Sequence, residues 1–228
     1  MIDWLQSHTV LLVLLLIGTA FTFLWQMLTR ERLRFPWNGA LPLSLLHTVL
    51  GVGAVMAFAF LENFGNSNPG AMSLFGAILF LPLFYWALSK LMHRKTAVVF
   101  DIFTVCMAFT LMCARINCIL SGCCLGAVIP GTGGVRWPTR ELELVFYAVI
   151  LTVFCIRTLR KKNYGELYPL YMTCYGAFRF IIEFFRESER TAGIFHISHI
   201  WAALCFCLGI SIFFELRRKH ESGRKRSK

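Results

Sequence analysis

Seven stretches of this chain are each about twenty residues long and almost wholly apolar, the length an α-helix needs to cross a bilayer core about 30 Å thick. Inside that core no water is available to bond backbone N–H and C=O groups. Segments that cross it are therefore helices or strands of a closed barrel, and runs of this length fit helices. The runs cover approximately 9–28, 41–61, 71–91, 97–119, 141–157, 166–185 and 195–215. The sixth is the least clean, because Arg179 and Glu183 lie inside it. The composition agrees: 57% of residues are hydrophobic and 15% charged, where soluble chains carry roughly 25% charged. The sequence predicts an all-α polytopic membrane protein, with a seven-helix transmembrane domain over residues 1–216 and a basic tail over 217–228. The first run begins near Thr9, after an acidic Asp3 and without a small-residue cleavage site, and is read as an uncleaved first span.

The formal net charge of +11 invites a nucleic-acid reading, but the positions of the charges explain it without an acidic partner. Arg30, Arg32 and Arg34 follow the first run; Lys90, Arg94 and Lys95 follow the third. Arg157, Arg160, Lys161 and Lys162 follow the fifth, and seven more basic residues close the chain. Together these are 17 of the 23 lysines and arginines, all on one side of the predicted spans. The positive-inside rule then puts the N-terminus outside and the C-terminus in the cytoplasm. The other six, Arg115, Arg136, Arg140, Arg179, Arg186 and Arg190, fall at the outer ends of spans four to six or in outer loops. The "ENFGNSNPG" stretch after span two reads as a turn-rich connector.

A charge inside a membrane helix costs about 2.5–3.5 kcal/mol on insertion scales, so such residues are candidates for function. Arg115 lies near the end of span four, followed by Gly122 and Gly126 in "ARINCILSGCCLG". Glycines let a chain present its N–H groups, and a guanidinium fork beside them matches phosphate or carboxylate; snorkelling to the interface is the alternative. "VRWPTRELE" opens span five, where Pro138, Thr139, Glu141 and Glu143 suit a helix start. Capping explains most of it, and proton acceptance by Glu143 is the alternative. In "YGAFRFIIEFFRE", Arg179 and Glu183 are four apart and share a helix face, with Arg186 three further on. The group is either a structural ion pair or a cationic site for an anionic ligand. Asp101 is read as an N-cap of span four.

Of the nine cysteines, only Cys118, Cys123 and Cys124 are clustered. Their C-x4-C-C spacing is not a zinc pattern, no histidine accompanies it, and adjacent cysteines do not readily chelate one ion. Packing, a disulfide and a reactive thiol remain open readings. The histidines are scattered without ligand spacing; His8, at the outer edge of span one, is read as interfacial.

These segments together resemble the prolipoprotein diacylglyceryl transferase family. "ARINCILSGCCLG" is similar to the family signature G-R-x-G-N-F-x-N-G-E-x-x-G in its G-C-C-x-G variant, through Arg115, Gly122, Cys123, Cys124 and Gly126. "WPTRELE" resembles H-P-T-Q-L-Y-E, keeping Pro138, Thr139 and Glu143. "YGAFRFIIEFFR" resembles Y-G-x-x-R-F-x-x-E-F-x-R, keeping Tyr175, Gly176, Arg179, Glu183 and Arg186. The resemblance implies a transferase of the bacterial inner membrane. It would move the diacylglyceryl group of phosphatidylglycerol, or a similar anionic phospholipid, onto a cysteine thiol of a secreted precursor, with glycerol phosphate leaving. It implies no cofactor and no metal. On it, Arg115, Glu143 and Arg179 are the catalytic candidates, and Arg115, Gly122, Gly126, Arg179, Glu183 and Arg186 bind the phospholipid. The chain departs from the pattern at Phe75, where members carry His or Tyr, and at Val55, where they carry an arginine. Two rivals follow from those departures: a related lipid transferase with a different acceptor, and a non-catalytic phospholipid-binding membrane protein.

Overall fold

The computed structural model describes residues 2–34, 36–62, 73–160, 165–187 and 196–226. The connector after Glu62, Arg190 and the side chain of His8 lie outside the described set. Long helices form where the apolar runs predict them: α1 (Ile2–Leu28), a one-turn α2 (Arg30–Leu33), α3 (Trp37–Glu62), α4 (Phe75–Leu91), α5 (Thr96–Leu120), α6 (Thr139–Leu159), α7 (Leu167–Ile182) and α8 (Ile197–Arg226). α7 runs on into a 3₁₀ turn, Glu183–Phe185. Among the described residues no strand forms, only the isolated bridges Gly126–Arg186 and Val128–Arg136.

Among the described residues five helices are long and apolar enough to cross a membrane: α1, α3, α5, α6 and α8. α4, with 17 residues, is a shorter apolar helix, and α7 has 16. The chain is a multi-pass membrane protein whose apolar helices pack on one another. α5 is the centre: its apolar stretch is 61% buried, against 22% for α6 and α8, and it packs on α1, α4, α6 and α7. Ile102, Phe103, Val105, Cys106 and Ala108 have no exposed surface. Polar pairs stitch α1 to α3, where the Gln26 amide donates to Ser44 at 2.8 Å and Thr19 and Thr48 share a bond of 2.8 Å. Such interhelical hydrogen bonds supply cohesion that lipid-like side chains cannot.

α7 meets α8 through small residues. A Cβ on Gly176 would lie 2.6 Å from the Ala202 carbonyl oxygen and from the Phe206 nitrogen, so this crossing admits only glycine. The other end of α7 is held by Asp101, and here the structure corrects the sequence reading. Asp101 lies inside α5, whose N-cap is Lys95. Its carboxylate, fully buried, accepts hydrogen bonds from Gly165 N at 3.0 Å and Leu167 N at 3.2 Å. It caps α7 from the neighbouring helix, a partner that sequence proximity does not reveal. Glu166 beside it pairs with Arg157 at 3.2 Å and Arg217 at 3.8 Å. α8 continues through the start of the basic C-terminal segment as one helix to Arg226.

Candidate active site

The charged residues of three helix ends converge on one buried knot. Arg115 is near the end of α5, Glu143 in the second turn of α6, and Arg179 in the last turn of α7. Glu143, 3% exposed, holds Arg115 through the guanidinium Nε and Arg179 through Nη1 at 2.5 Å. Arg179 Nη2 also forms an ion pair with Glu183 at 2.9 Å, the pairing its i,i+4 spacing predicts. Arg186 approaches more loosely, 3.7 Å from Glu143 and 4.0 Å from Glu183. The knot therefore sets three guanidiniums against two deeply buried carboxylates.

Main-chain pairing fixes how Arg186 returns to the knot. After the 3₁₀ turn it adopts an extended conformation (φ −92°, ψ 149°). Glu187 N donates to Leu125 O at 3.2 Å, and Ala127 N donates to Phe185 O at 2.8 Å. The loop between α5 and α6 folds back as a narrow hairpin, with Ile129 N donating to Val135 O at 2.8 Å and Trp137 N to Ala127 O at 3.0 Å. Gly126 makes that fold possible, since a Cβ there would lie 2.0 Å from the Trp137 carbonyl oxygen. Burial, followed by the like charges of Arg179 and Arg115, pushes the Arg186 pKa below the ordinary arginine value. A phosphate beside it would relieve that repulsion.

The knot opens into a cavity of about 260 Å³. Arg115, Arg179, Arg186 and Glu183 line it, with Asn117, Cys118 and Cys124 on the α5 side and Glu62, Ser73 and Phe75 opposite. Leu11, Leu74 and Ala114 belong both to this wall and to a second, almost wholly apolar cleft of about 80 Å³ between α1, α3, α4 and α5. Phe75, 2% exposed, meets Tyr175 edge to face at 5.6 Å and lies 6.0 Å from the Arg179 guanidinium, within cation–π range.

The structure thus brings together Arg115, Glu143, Arg179, Glu183 and Arg186. Gly122 and Gly126 are not on the cavity wall. Gly122 N is taken by Ile119 O at 3.3 Å, and Gly122 serves the turn with its φ of +66°. Three residues join that sequence reasoning missed. His196 lies 3.5 Å from Glu183 through Nδ1, and His199 accepts from His196 N at 3.0 Å. Their one-turn spacing in "HISH" was the available signal. Glu62 reaches the cavity from the end of α3, next to Ser73 and Trp201. The three clustered thiols are free, and their sulfurs all lie within 4.8 Å of one another.

The family model for prolipoprotein diacylglyceryl transferases matches residues 14–215. A phosphatidylglycerol–prolipoprotein diacylglyceryl transferase of Dehalococcoides mccartyi is 25% identical over 175 residues, covering 68% of this chain and 67% of that protein. One from Mannheimia succiniciproducens is 31% identical over 138 residues, covering 55% and 51%. One from Chlorobaculum tepidum is 26% identical over 180 residues, covering 70% and 62%.

Proposed function

The chain belongs to the prolipoprotein diacylglyceryl transferase family, and from that premise we propose that it transfers the diacylglyceryl group of phosphatidylglycerol to a cysteine thiol of a secreted precursor. Glycerol phosphate is the leaving group. The observation that carries this reading is the joining of an arginine-lined polar cavity to an apolar cleft through a shared wall. A phospholipid needs that combination, with its phosphate among guanidiniums and its acyl chains among Leu14, Val55, Leu81 and Met107.

Each residue has a physical task. Arg186, the least tightly paired guanidinium, grips the phosphodiester together with Arg115. As the glycerol carbon–oxygen bond breaks, charge grows on the departing phosphate, and guanidiniums already in place stabilise it without reorganising. Glu143 holds Arg115 and Arg179 at fixed spacing, and Glu183 anchors Arg179 from the other side. Glu143 is committed to two cations, which leaves Glu62 on the cavity wall to take the thiol proton.

The same reading includes seven spans and an N-terminus outside. α7 and its 3₁₀ turn together reach about 30 Å, enough to cross although the helix is short. With the basic loops inside, the knot lies at the outer face of the inner membrane, where a secreted precursor arrives. In lipid nanodiscs holding headgroup-labelled phosphatidylglycerol, addition of a cysteine-bearing peptide should release labelled glycerol phosphate. Arg115→Ala should abolish that release. Intact, well-inserted protein that releases none, and fails to complement a conditional transferase-deletion strain, would overturn the proposal.

A further inference from the structure

The loop that closes over the cavity carries three thiols, and the reaction proposed above does not use them. Cys118 is on the last turn of α5, and Ser121–Gly122 turn the chain back, so that Cys123 N donates to the Cys118 carbonyl at 3.2 Å. Successive side chains of an extended segment point to opposite sides. Cys124 escapes that rule because it holds a left-handed conformation, φ +57°, uncommon for a residue with a side chain. All three sulfurs consequently fall within 4.8 Å of one another. Three thiolates on one zinc ion, with bonds near 2.3 Å, stand about 3.8 Å apart, a separation reached by small side-chain rotations.

We propose that Cys118, Cys123 and Cys124 form a three-thiolate site for one thiophilic divalent cation, zinc foremost, whose open fourth position takes the thiol of the incoming acceptor. Among the described residues no carboxylate or imidazole joins the trio. Three protein ligands with a vacant fourth position are the pattern of catalytic rather than structural zinc. The charges also balance: three thiolates and a divalent cation leave one negative charge, beside the guanidiniums of Arg115 and Arg186. Cys118 and Cys124 line the same cavity as the arginines, so the fourth position opens towards the phosphate.

The site supplies what Phe75 lacks, since a phenyl ring can neither take nor give a proton. On binding the cation the acceptor thiol loses its proton to Glu62. The sulfur lone pair then forms the S–C bond to the glycerol carbon, while the C–O bond to phosphate breaks and its electron pair leaves with glycerol phosphate. No oxidant or reductant enters. This step rests on the transferase reading; metal binding itself does not.

The test is a cobalt titration of the reduced, metal-stripped protein in nanodiscs free of phosphatidylglycerol. About one Co²⁺ per chain should bind with thiolate-to-cobalt charge-transfer bands, and Zn²⁺ should displace it. Cys118→Ser, Cys123→Ser and Cys124→Ser should each lose those bands, whereas Cys207→Ser, on α8, should keep them. Serine is nearly isosteric, and an unchanged Tm certifies the fold of each variant. A cysteine-bearing acceptor peptide should shift the visible cobalt bands, and its serine counterpart should not. Folded, reduced protein that binds no cobalt, or binds it equally after the serine substitutions, overturns the site. A bound cobalt blind to the peptide overturns the acceptor-binding half. Glycerol phosphate released by metal-free protein would remove this proposal and leave the transferase reading standing. Loaded protein that never releases it would overturn the transferase reading, and the acceptor step with it, and leave the metal site standing.

Discussion

Glu143 receives Arg115 and Arg179 at once, and its burial makes the knot costly to open. Removing one partner of a buried ion pair leaves an uncompensated charge, at about 3–5 kcal/mol. Glu143→Ala should therefore lower Tm in detergent markedly and abolish glycerol phosphate release together. Arg186 behaves differently, because its contacts of 3.7 and 4.0 Å hold little together. Arg186→Ala should leave Tm nearly unchanged while phosphatidylglycerol affinity falls about ten- to a hundredfold, the worth of a hydrogen bond to a charged group; liposome binding reads it. The Arg179–Glu183 pair was legible in the sequence because helical spacing fixes which neighbours touch. Glu143 as the hub was not, since it is 36 residues from Arg179 and only the packing of α6 on α5 and α7 brings them together. The two histidines escaped for the same reason, as their partner Glu183 is on another helix.

At the level of the helix, the short α7 depends on its neighbours at both ends. Gly176 lets it lie directly on the α8 backbone. Gly176→Ala should force the pair apart, lower Tm and reduce turnover, because Arg179 and Glu183 ride on the same helix. Asp101 holds the opposite end, and Asp101→Ala would strand two N–H donors at about 1–3 kcal/mol each. Hydrogen exchange at Gly165 and Leu167 should quicken in that variant while the α5–α6 contact stays protected. Most helix ends lie within a few residues of the apolar-run limits, since Pro138, Thr139 and the polar breaks between runs mark them, but α1 begins and α8 ends well outside their runs. The cross-helix cap by Asp101 left no local signature.

For the whole molecule, the spacing of apolar runs announced a helical membrane bundle, and five helices meet the length and composition needed to cross. Which helices touch was not legible, because lipid-facing and helix-facing apolar side chains look alike in sequence; α5 becomes the hub only once packed. With 17 of 23 basic residues assigned to one side, a reporter fused after the last residue should read as cytoplasmic and one fused before α1 as external.

The charge carried by α7 also bears on how the chain is made. Arg115 and Glu143 emerge from the ribosome first and can pair before Arg179 exists. α7 then arrives carrying Arg179, with Glu183 in the turn that follows, charges that are costly to settle in lipid alone. Its glycine faces α8, which is synthesised last, so the two helices should enter the bilayer as a hairpin. A nascent chain stopped before Ile197 should leave α7 uninserted, open to protease until α8 emerges, and the candidate site is therefore completed only at the end of synthesis.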